Sequence, residues 1–402
     1  VKRDGELAAA VAGYVDDFRI VTGDKDAAWD CSSRFAKKIC WLGMQDAARK
    51  RRRPSKRPGA WVGATVQSDG VTVCKGVTQE RWHKVRLRVR WLARHAGLQV
   101  EVSDLELDKA VQFKTKPPLG HIHYKTTESL VGFLVYVAMT YKSLMPYLKG
   151  IYLSLNSWRK NRDEDGWKML GKKKWEVATK EDSELAPPEW VEMVPRLEDD
   201  LKALMLLTSA TEAPRIPVRP ASSKASYVVG DASGVGFGST SWKSSDKKLK
   251  ATVGLWNNKT SQESSSNFRE AANLVLKLKS MLESEELPRG AEVFIFTDNF
   301  VFERTFYKGS SNSKLLHDIV IELRGMEMKG DIIVHVVWIS GKRMIAQGSD
   351  GLSRGDNSSG VMAGEEFLKY IPLNESAFER SGVAKSTIVN QWSVSYTHLR
   401  AH

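Results

Sequence analysis

The chain has 402 residues, 42% apolar and 27% charged, with 61 basic against 48 acidic side chains and a net charge of +13. This is the composition of a globular protein of two or three domains, at about 100–200 residues each, and it argues against disorder. The longest apolar stretch, Leu130 to Tyr141, falls short of the ~20 residues of a membrane-spanning helix. Three cysteines (Cys31, Cys40, Cys74) without zinc spacing disfavour a disulfide scaffold or a zinc module.

In chain order, a short apolar strand leads into Gly13-Tyr14-Val15-Asp16-Asp17-Phe18 and a second strand at Arg19–Thr22. A helix is expected from about Asp24 to Ile39, then a basic loop and strands at Ala60–Val66 and Val71–Val73. From Thr78 to His95 the apolar positions Trp82, Val85, Val89 and Leu92 recur at helical spacing, although Leu87, Val89 and Trp91 also alternate as in a strand. Residues 126–158 read as two helices broken at Pro146. The next stretch is basic to residue 180 and acidic from 181 to 200, and six of the 13 prolines lie between Pro187 and Pro220. That pattern predicts a linker over 181–220 and a domain boundary near 220.

Beyond the linker, strands are expected at Ala225–Gly230, near 237–242 and 250–256, at Val293–Thr297 and at Ile332–Ile339. Helices are expected from Phe268 to about Leu282, capped by Ser266 or Asn267, and near 300–307, 314–328 and 344–353. The chain is therefore expected to be α/β, with an α+β front part and a layered domain over 221–360.

The charge is uneven. Residues 226–360 hold 17 basic and 16 acidic side chains, so nearly all the excess lies before them. The densest run is Arg49, Lys50, Arg51, Arg52, Arg53, Lys56 and Arg57, and a second cluster places Arg86, Arg88 and Arg90 between Trp82 and Trp91. Concentrated Lys and Arg are the footprint of a polyanion, because each neutralised phosphate releases counterions. A solvated helix face or a nuclear import signal would look the same by charge alone.

Four acids stand apart from the rest: Asp231 and Asp298 at the ends of strands, Glu270 early in a helix, and Asp350 in the final helix after Gly341 and Gly348. Converging carboxylates repel one another and favour protonation until divalent cations neutralise them. Oxygen-only ligands suit Mg²⁺ or Mn²⁺ rather than zinc, and two such ions can activate a water and stabilise the leaving oxygen of a phosphodiester.

These residues carry a resemblance. Ser226-Tyr227-Val228-Val229-Gly230-Asp231-Ala232-Ser233-Gly234, Asn267-Phe268-Arg269-Glu270 and Phe296-Thr297-Asp298-Asn299 resemble the first three acidic motifs of the ribonuclease H family. Trp338-Ile339-Ser340-Gly341 and Gly348-Ser349-Asp350-Gly351-Leu352-Ser353-Arg354 are similar to the final motif of retrotransposon ribonuclease H domains, with Ser349 where alanine is usual. The resemblance implies a mixed five-stranded sheet with flanking helices and two-metal hydrolysis of the RNA strand of RNA–DNA hybrids. Asp231, Glu270, Asp298 and Asp350 would then be both the catalytic residues and the metal ligands.

The front half fits the same family group. Tyr14-Val15-Asp16-Asp17 resembles the tyrosine–any–Asp–Asp turn of reverse transcriptases, and Trp41-Leu42-Gly43 with Ala60-Trp61-Val62-Gly63 resembles the region around their primer grip. Gly132-Phe133-Leu134-Val135-Tyr136-Val137 through Pro146-Tyr147-Leu148 looks like the thumb and connection of DIRS-type retrotransposon polymerases. The expected layout is a partial palm over 1–75, a thumb- or connection-like helical region over 76–180, the linker, and the ribonuclease H-like domain. The chain begins at Val1, without the methionine of an intact start, and only 13 residues precede Tyr14. Tyr14, Asp16 and Asp17 are therefore expected to be a polymerase remnant without the first palm aspartate. The basic front half, with Arg86 and Arg90, would grip the hybrid, and Lys342 and Arg343 would contact a phosphate near the last carboxylate.

Other readings stay open: a decayed hybrid-binding remnant, or a DNA-cutting nuclease of the same fold. Gly234-Val235-Gly236-Phe237-Gly238 reads as a hairpin, and His121, His123, His317 and His335 as structural histidines. With no signal pattern, the expected location is intracellular, cytoplasmic or nuclear. The last ten residues, Ser393 to His402, resemble translated sequencing adaptor.

Overall fold

The computed structural model describes residues 2–3, 6–7, 9–14, 17–22, 25–43, 60–61, 64–68, 73–101, 118–169, 186–219, 225–243, 248–257 and 265–370. The basic run 49–57, Asp16 and the tail beyond residue 370 lie outside them. The chain divides into two compact units, Val1–Lys84 with Ala210–Val218, and Val85–Ser209 with Arg219–His402. Among the described residues no helix is long and apolar enough to cross a membrane.

In the first unit, strands Ala9–Tyr14 and Asp17–Thr22 form an antiparallel pair with Tyr14 opposite Asp17. Helix Lys25–Trp41 follows. Strands Ala60–Trp61, Ala64–Ser68 and Val73–Val77 make a sheet with Arg215–Arg219 at its edge. The proline-bearing end of the expected linker is thus an edge strand, a place that tolerates a residue without an N–H.

In the second unit, a helical segment includes helices Tyr124–Ala138 and Lys149–Leu155. His123 caps the first of these by accepting from the Thr126 N–H at 3.2 Å, which gives that histidine its structural role. The acidic stretch expected as linker instead holds strand Trp190–Glu192 and helix Arg196–Leu207. Leu197, Leu201 and Leu204 bury one face of that helix, while Glu198 and Asp199 fall in its first turn, where the helix dipole favours acids. Asp200 lies on the buried face with these leucines, where its carboxylate accepts from the Gly150 N–H at 2.7 Å.

The five-stranded mixed sheet with flanking helices implied by the resemblance is present. Its strands are β1 (Ala225–Ala232), β2 (Gly236–Lys243), β3 (Leu249–Leu255), β4 (Glu292–Thr297) and β5 (Ile333–Trp338). They lie in the order β3-β2-β1-β4-β5. β1–β2 and β2–β3 are antiparallel, β1–β4 and β4–β5 parallel. The helices are α1 (Ser266–Glu283), α2 (Phe300–Lys308), α3 (Lys314–Gly330), α4 (Gly341–Gln347) and α5 (Ser349–Leu352). α1 is capped by Ser265, one residue earlier than expected, whose hydroxyl accepts from the Phe268 N–H. The single final helix expected near 344–353 is broken at Gly348 into α4 and α5.

β1 and β4 are buried along their whole length because both faces of the sheet are covered there. Val228, Val293 and Ile295 pack with Leu274, Leu278 and Leu323 from α1 and α3. Tyr227, Val229, Phe294 and Phe296 pack on the other side with Met344, Val361 and Phe367. Each such side chain, fully buried, contributes about 1.5–3 kcal/mol. His335 stacks on Phe294 at 4.7 Å, as a packed residue of the sheet.

The helical segment and the five-stranded sheet share one unit, where sequence composition separates them near 220. Arg196 bridges to Asp318 at 3.2 Å, Lys314 pairs with Asp165, and the Trp167 ring lies 5.9 Å from that of His317. At Gly309 a Cβ would stand 2.6 Å from the Met145 side chain, so α2 ends in close contact with this segment.

Candidate active site

Parallel pairing of β1 with β4 brings Asp231 and Asp298 to the same sheet edge, since both strands run in one direction and end together. Glu270 joins them from α1. That helix is pinned across the sheet by Asn273, one turn beyond Glu270, whose Nδ2 donates to the carbonyls of Asp231 and Gly238 at 2.9 Å each. A Cβ at Gly230 would meet this amide at 2.9 Å, so glycine there permits the approach. Asp350 arrives on α5, which lies so close over β2 that a Cβ at Gly238 would stand 2.7 Å from the Leu352 carbonyl carbon.

The four acids feel one another. Burial first, then the Asp298 and Asp350 charges, pushes Asp231 up to about 6, against a hydrogen bond from the Ala232 N–H. Burial, then Asp298 and Asp231, pushes Glu270 up to about 8, with Arg269 and Asn299 pulling the other way. Asp298 is also raised, by burial and then by Asp350. Ser353, buried beneath them, donates to the Asp350 carbonyl at 2.8 Å and lies 3.4 Å from Asp231 Oδ2. Arg354 Nη1 pairs with the Asp350 carboxylate. The Trp338 indole donates to the Asp298 carbonyl at 3.0 Å and fixes the end of β4.

This donor set, oxygen only, suits hard divalent cations, and Glu270, pushed up to about 8, keeps its proton at neutral pH until a cation neutralises the cluster. As the side chains stand, no three His, Cys, Asp or Glu groups among the described residues are arranged to hold a metal ion. The Arg354 pairing occupies the Asp350 carboxylate, so a cation would have to compete for it.

The predicted basic residues take different parts. Arg86 and Arg90 point at the C-terminal end of helix Arg196–Leu207. Arg86 Nε donates to the Thr208 carbonyl at 3.2 Å, and Arg90 donates to the same carbonyl at 3.3 Å and to Thr208 Oγ1 at 3.4 Å. They satisfy carbonyls that a helix end leaves unpaired. All three arginines lie on helix Gln79–His95, and Arg88, on another side of it, stacks on Phe133 at 4.6 Å and lines a cleft of about 320 Å³ with Lys125, Thr126 and Ser129. Lys342 is exposed and Arg343 half-buried at the start of α4. The preceding Gly341 abuts the site, its Cβ position 3.4 Å from Asp298 Oδ2. Tyr14 and Asp17 are backbone register partners at the end of their strand pair, while Asp16 and Arg49, Lys50, Arg51, Arg52, Arg53, Lys56 and Arg57 lie outside the described residues. Sequence reasoning missed Asn273, Ser353 and Arg354 as neighbours of the acids. The spacing of Asn273 from Glu270, one helical turn, is the signal that could have found the first.

No protein-family model matches the chain, and no curated protein matches it. Among solved structures it is similar to ribonuclease H1 from the halophilic archaeon Halobacterium salinarum NRC-1, at 12% identity and a TM-score of 0.26, over 33% of this chain and 94% of that one. It is similar to LC11-RNase H1 in complex with RNA/DNA hybrid, at 17% identity and a TM-score of 0.25, over 32% of this chain and 91% of that one. A longer stretch, 81% of this chain, is similar to the foamy viral protease-reverse transcriptase in complex with RNA/DNA hybrid, at 11% identity and a TM-score of 0.33. The chain spans 35% of that protein.

Proposed function

We propose that this chain is a nuclease of the ribonuclease H type, from a retroelement reverse transcriptase, that hydrolyses the RNA strand of an RNA–DNA hybrid. The observation that carries the reading is the meeting of Asp231, Glu270, Asp298 and Asp350 at one sheet edge, with Asp231 and Glu270 pushed up to about 6 and about 8. Such a cluster holds more negative charge than its burial tolerates, and cations relieve it. Asp231 and Asp298, at the ends of parallel strands, would hold two Mg²⁺ ions, or Mn²⁺, with Glu270 and Asp350 on either side. When bound, those cations supply an activated water and charge neutralisation at the leaving oxygen.

The chain's own residues set the stage. Asn273 and Trp338 fix the backbone of Asp231 and Asp298, and Asn299 hydrogen-bonds to Glu270 and caps α2 by accepting from the Phe302 N–H at 2.9 Å. Lys342, exposed beside the site, would take a phosphate of the substrate backbone. A second reading, a hybrid-binding remnant, draws on the Arg354–Asp350 pair, which ties up one of the four acids.

The deciding experiment is cleavage of a labelled RNA–DNA hybrid by the full chain with Mg²⁺, Mn²⁺ or EDTA, beside Asp298→Asn. Metal-dependent cutting of the RNA strand, lost in the variant and absent on duplex DNA, is the expected result. Folded protein that binds hybrid but cuts it with neither metal would leave the remnant reading standing.

A further inference from the structure

The turn that delivers Asp350 is fastened by buried polar groups with no part in the chemistry above. Gly348 separates α4 from α5 with φ +99°, and a Cβ there would stand 2.7 Å from the Ser359 carbonyl oxygen, so both conformation and space require glycine. On either side of it, Gln347 and Ser349 are completely buried, as is Thr240 on β2.

These three side chains satisfy one another. Gln347 Nε2 donates to Thr240 Oγ1 at 2.7 Å, and Gln347 Oε1 accepts from the Ser349 backbone N–H at 3.0 Å and from its hydroxyl. Ser349 Oγ also lies 3.5 Å from the Val229 carbonyl. Val229 and Thr240 are directly paired across β1 and β2. Asp231 is two residues along the same strand, on the same face of the pleat. The chain of hydrogen bonds thus ties the turn before Asp350 to the register pair one pleat repeat from Asp231.

An apolar filling would hold the turn down as firmly, but without one orientation. A satisfied polar network specifies a unique arrangement and becomes costly when half-broken.

We propose that Thr240, Gln347 and Ser349 are positioning residues that set Asp350 against Asp231 and thereby set the affinity of the carboxylate cluster for divalent cations. The proposal rests on the cleavage reading, and its test separates the two. Full-length wild type, Thr240→Val, Thr240→Ser, Gln347→Met and Ser349→Ala would be compared by near-UV circular dichroism, by Mn²⁺ binding in calorimetry, and by kcat and KM on a labelled hybrid.

Thr240→Val and Gln347→Met should weaken Mn²⁺ binding about tenfold or more and lower kcat comparably, as loss of an outer-shell partner does. KM for the hybrid should stay within about twofold, and Thr240→Ser should restore both quantities. Folded variants with Mn²⁺ affinity and kcat within about twofold of wild type would overturn the proposal. If the larger changes prevent folding, Ser349→Ala, which removes one oxygen, is judged by the same two quantities. Should wild type bind Mn²⁺ without cutting, the cleavage reading falls and the affinities alone decide the positioning role. A wild-type chain that takes up no Mn²⁺ overturns both.

Discussion

Asn273 Nδ2 donates to the main-chain carbonyl of Asp231 at 2.9 Å, and through this bond the helix that carries Glu270 is registered on the strand that carries Asp231. The site therefore depends on one buried amide as well as on its acids. Because the same amide reaches Gly238, β1 and β2 are clamped together under the helix.

Replacing Asp231 or Asp298 by Asn should separate activity from stability. Asp231 holds its proton more tightly folded than unfolded, with a folded value of about 6 against an ordinary 3.8. Its ionisation at neutral pH therefore counts against folding. In EDTA at pH 7.5, Asp231→Asn should unfold at higher denaturant, by up to about 3 kcal/mol, since one pKa unit corresponds to about 1.4 kcal/mol. Hybrid cutting should fall by more than about a hundredfold, beyond the usual cost of an outer-shell change. Urea melts and a cleavage assay on the same preparation check both halves.

Acid should loosen the second unit through His317. Burial first, then the Arg196 and Lys149 charges, pushes its imidazole down to about 3. Neither ring nitrogen makes a hydrogen bond of ordinary geometry. The stabilisation of the neutral ring is complete above its unfolded value of 6.5 and is lost as pH falls from there toward about 3. Between pH 7 and 5 this amounts to on the order of 2 kcal/mol. Asp200, pushed up to about 6 mainly by burial, works in the opposite sense and gains as pH falls. The difference between wild type and His317→Leu in urea melts at pH 7 and pH 5 isolates the histidine.

Arg90 and Lys342 should fail differently. Arg90→Leu leaves the carbonyl of Thr208 with fewer donors and should cost about 1–2 kcal/mol of stability, with hybrid affinity unchanged. Lys342→Ala should leave the denaturation midpoint in place, weaken hybrid binding, and reduce the slope of log affinity on log salt by about one. Fluorescence anisotropy across a salt series, beside thermal melts, distinguishes them.

Gly238→Ala should damage the site through packing alone. Its Cβ would stand 2.7 Å from both the Leu352 carbonyl carbon and the Ser353 nitrogen, backbone atoms that cannot turn away. Overpacking of this kind costs about 1–3 kcal/mol. The displacement of α5 should lower cutting more than a Gly234→Ala control, whose Cβ meets nothing within 4 Å.

The candidate acids and the strands that carry them were legible in the chain itself. An apolar run ending in an acid, as in Phe296-Thr297-Asp298, is a local pattern, and local patterns survive whatever packs around them. The layered α/β character followed from the same runs, and the mixed five-stranded sheet from the resemblance those motifs carry. Helix Arg196–Leu207 was obscured because the acids of the wider stretch 181–200 and the prolines on either side gave the whole segment the composition of a linker. Tertiary structure decided the uses of the polar groups. Arg90 finds Thr208 118 positions away, and Gln347 finds Thr240 across 107. No window of sequence contains both partners of such bonds, and charge alone made Arg86 and Arg90 look like phosphate ligands. Burial and hydrogen-bond demand are properties of the folded chain, so only the fold could show which basic groups close a helix end and which polar groups hold Asp350 in place.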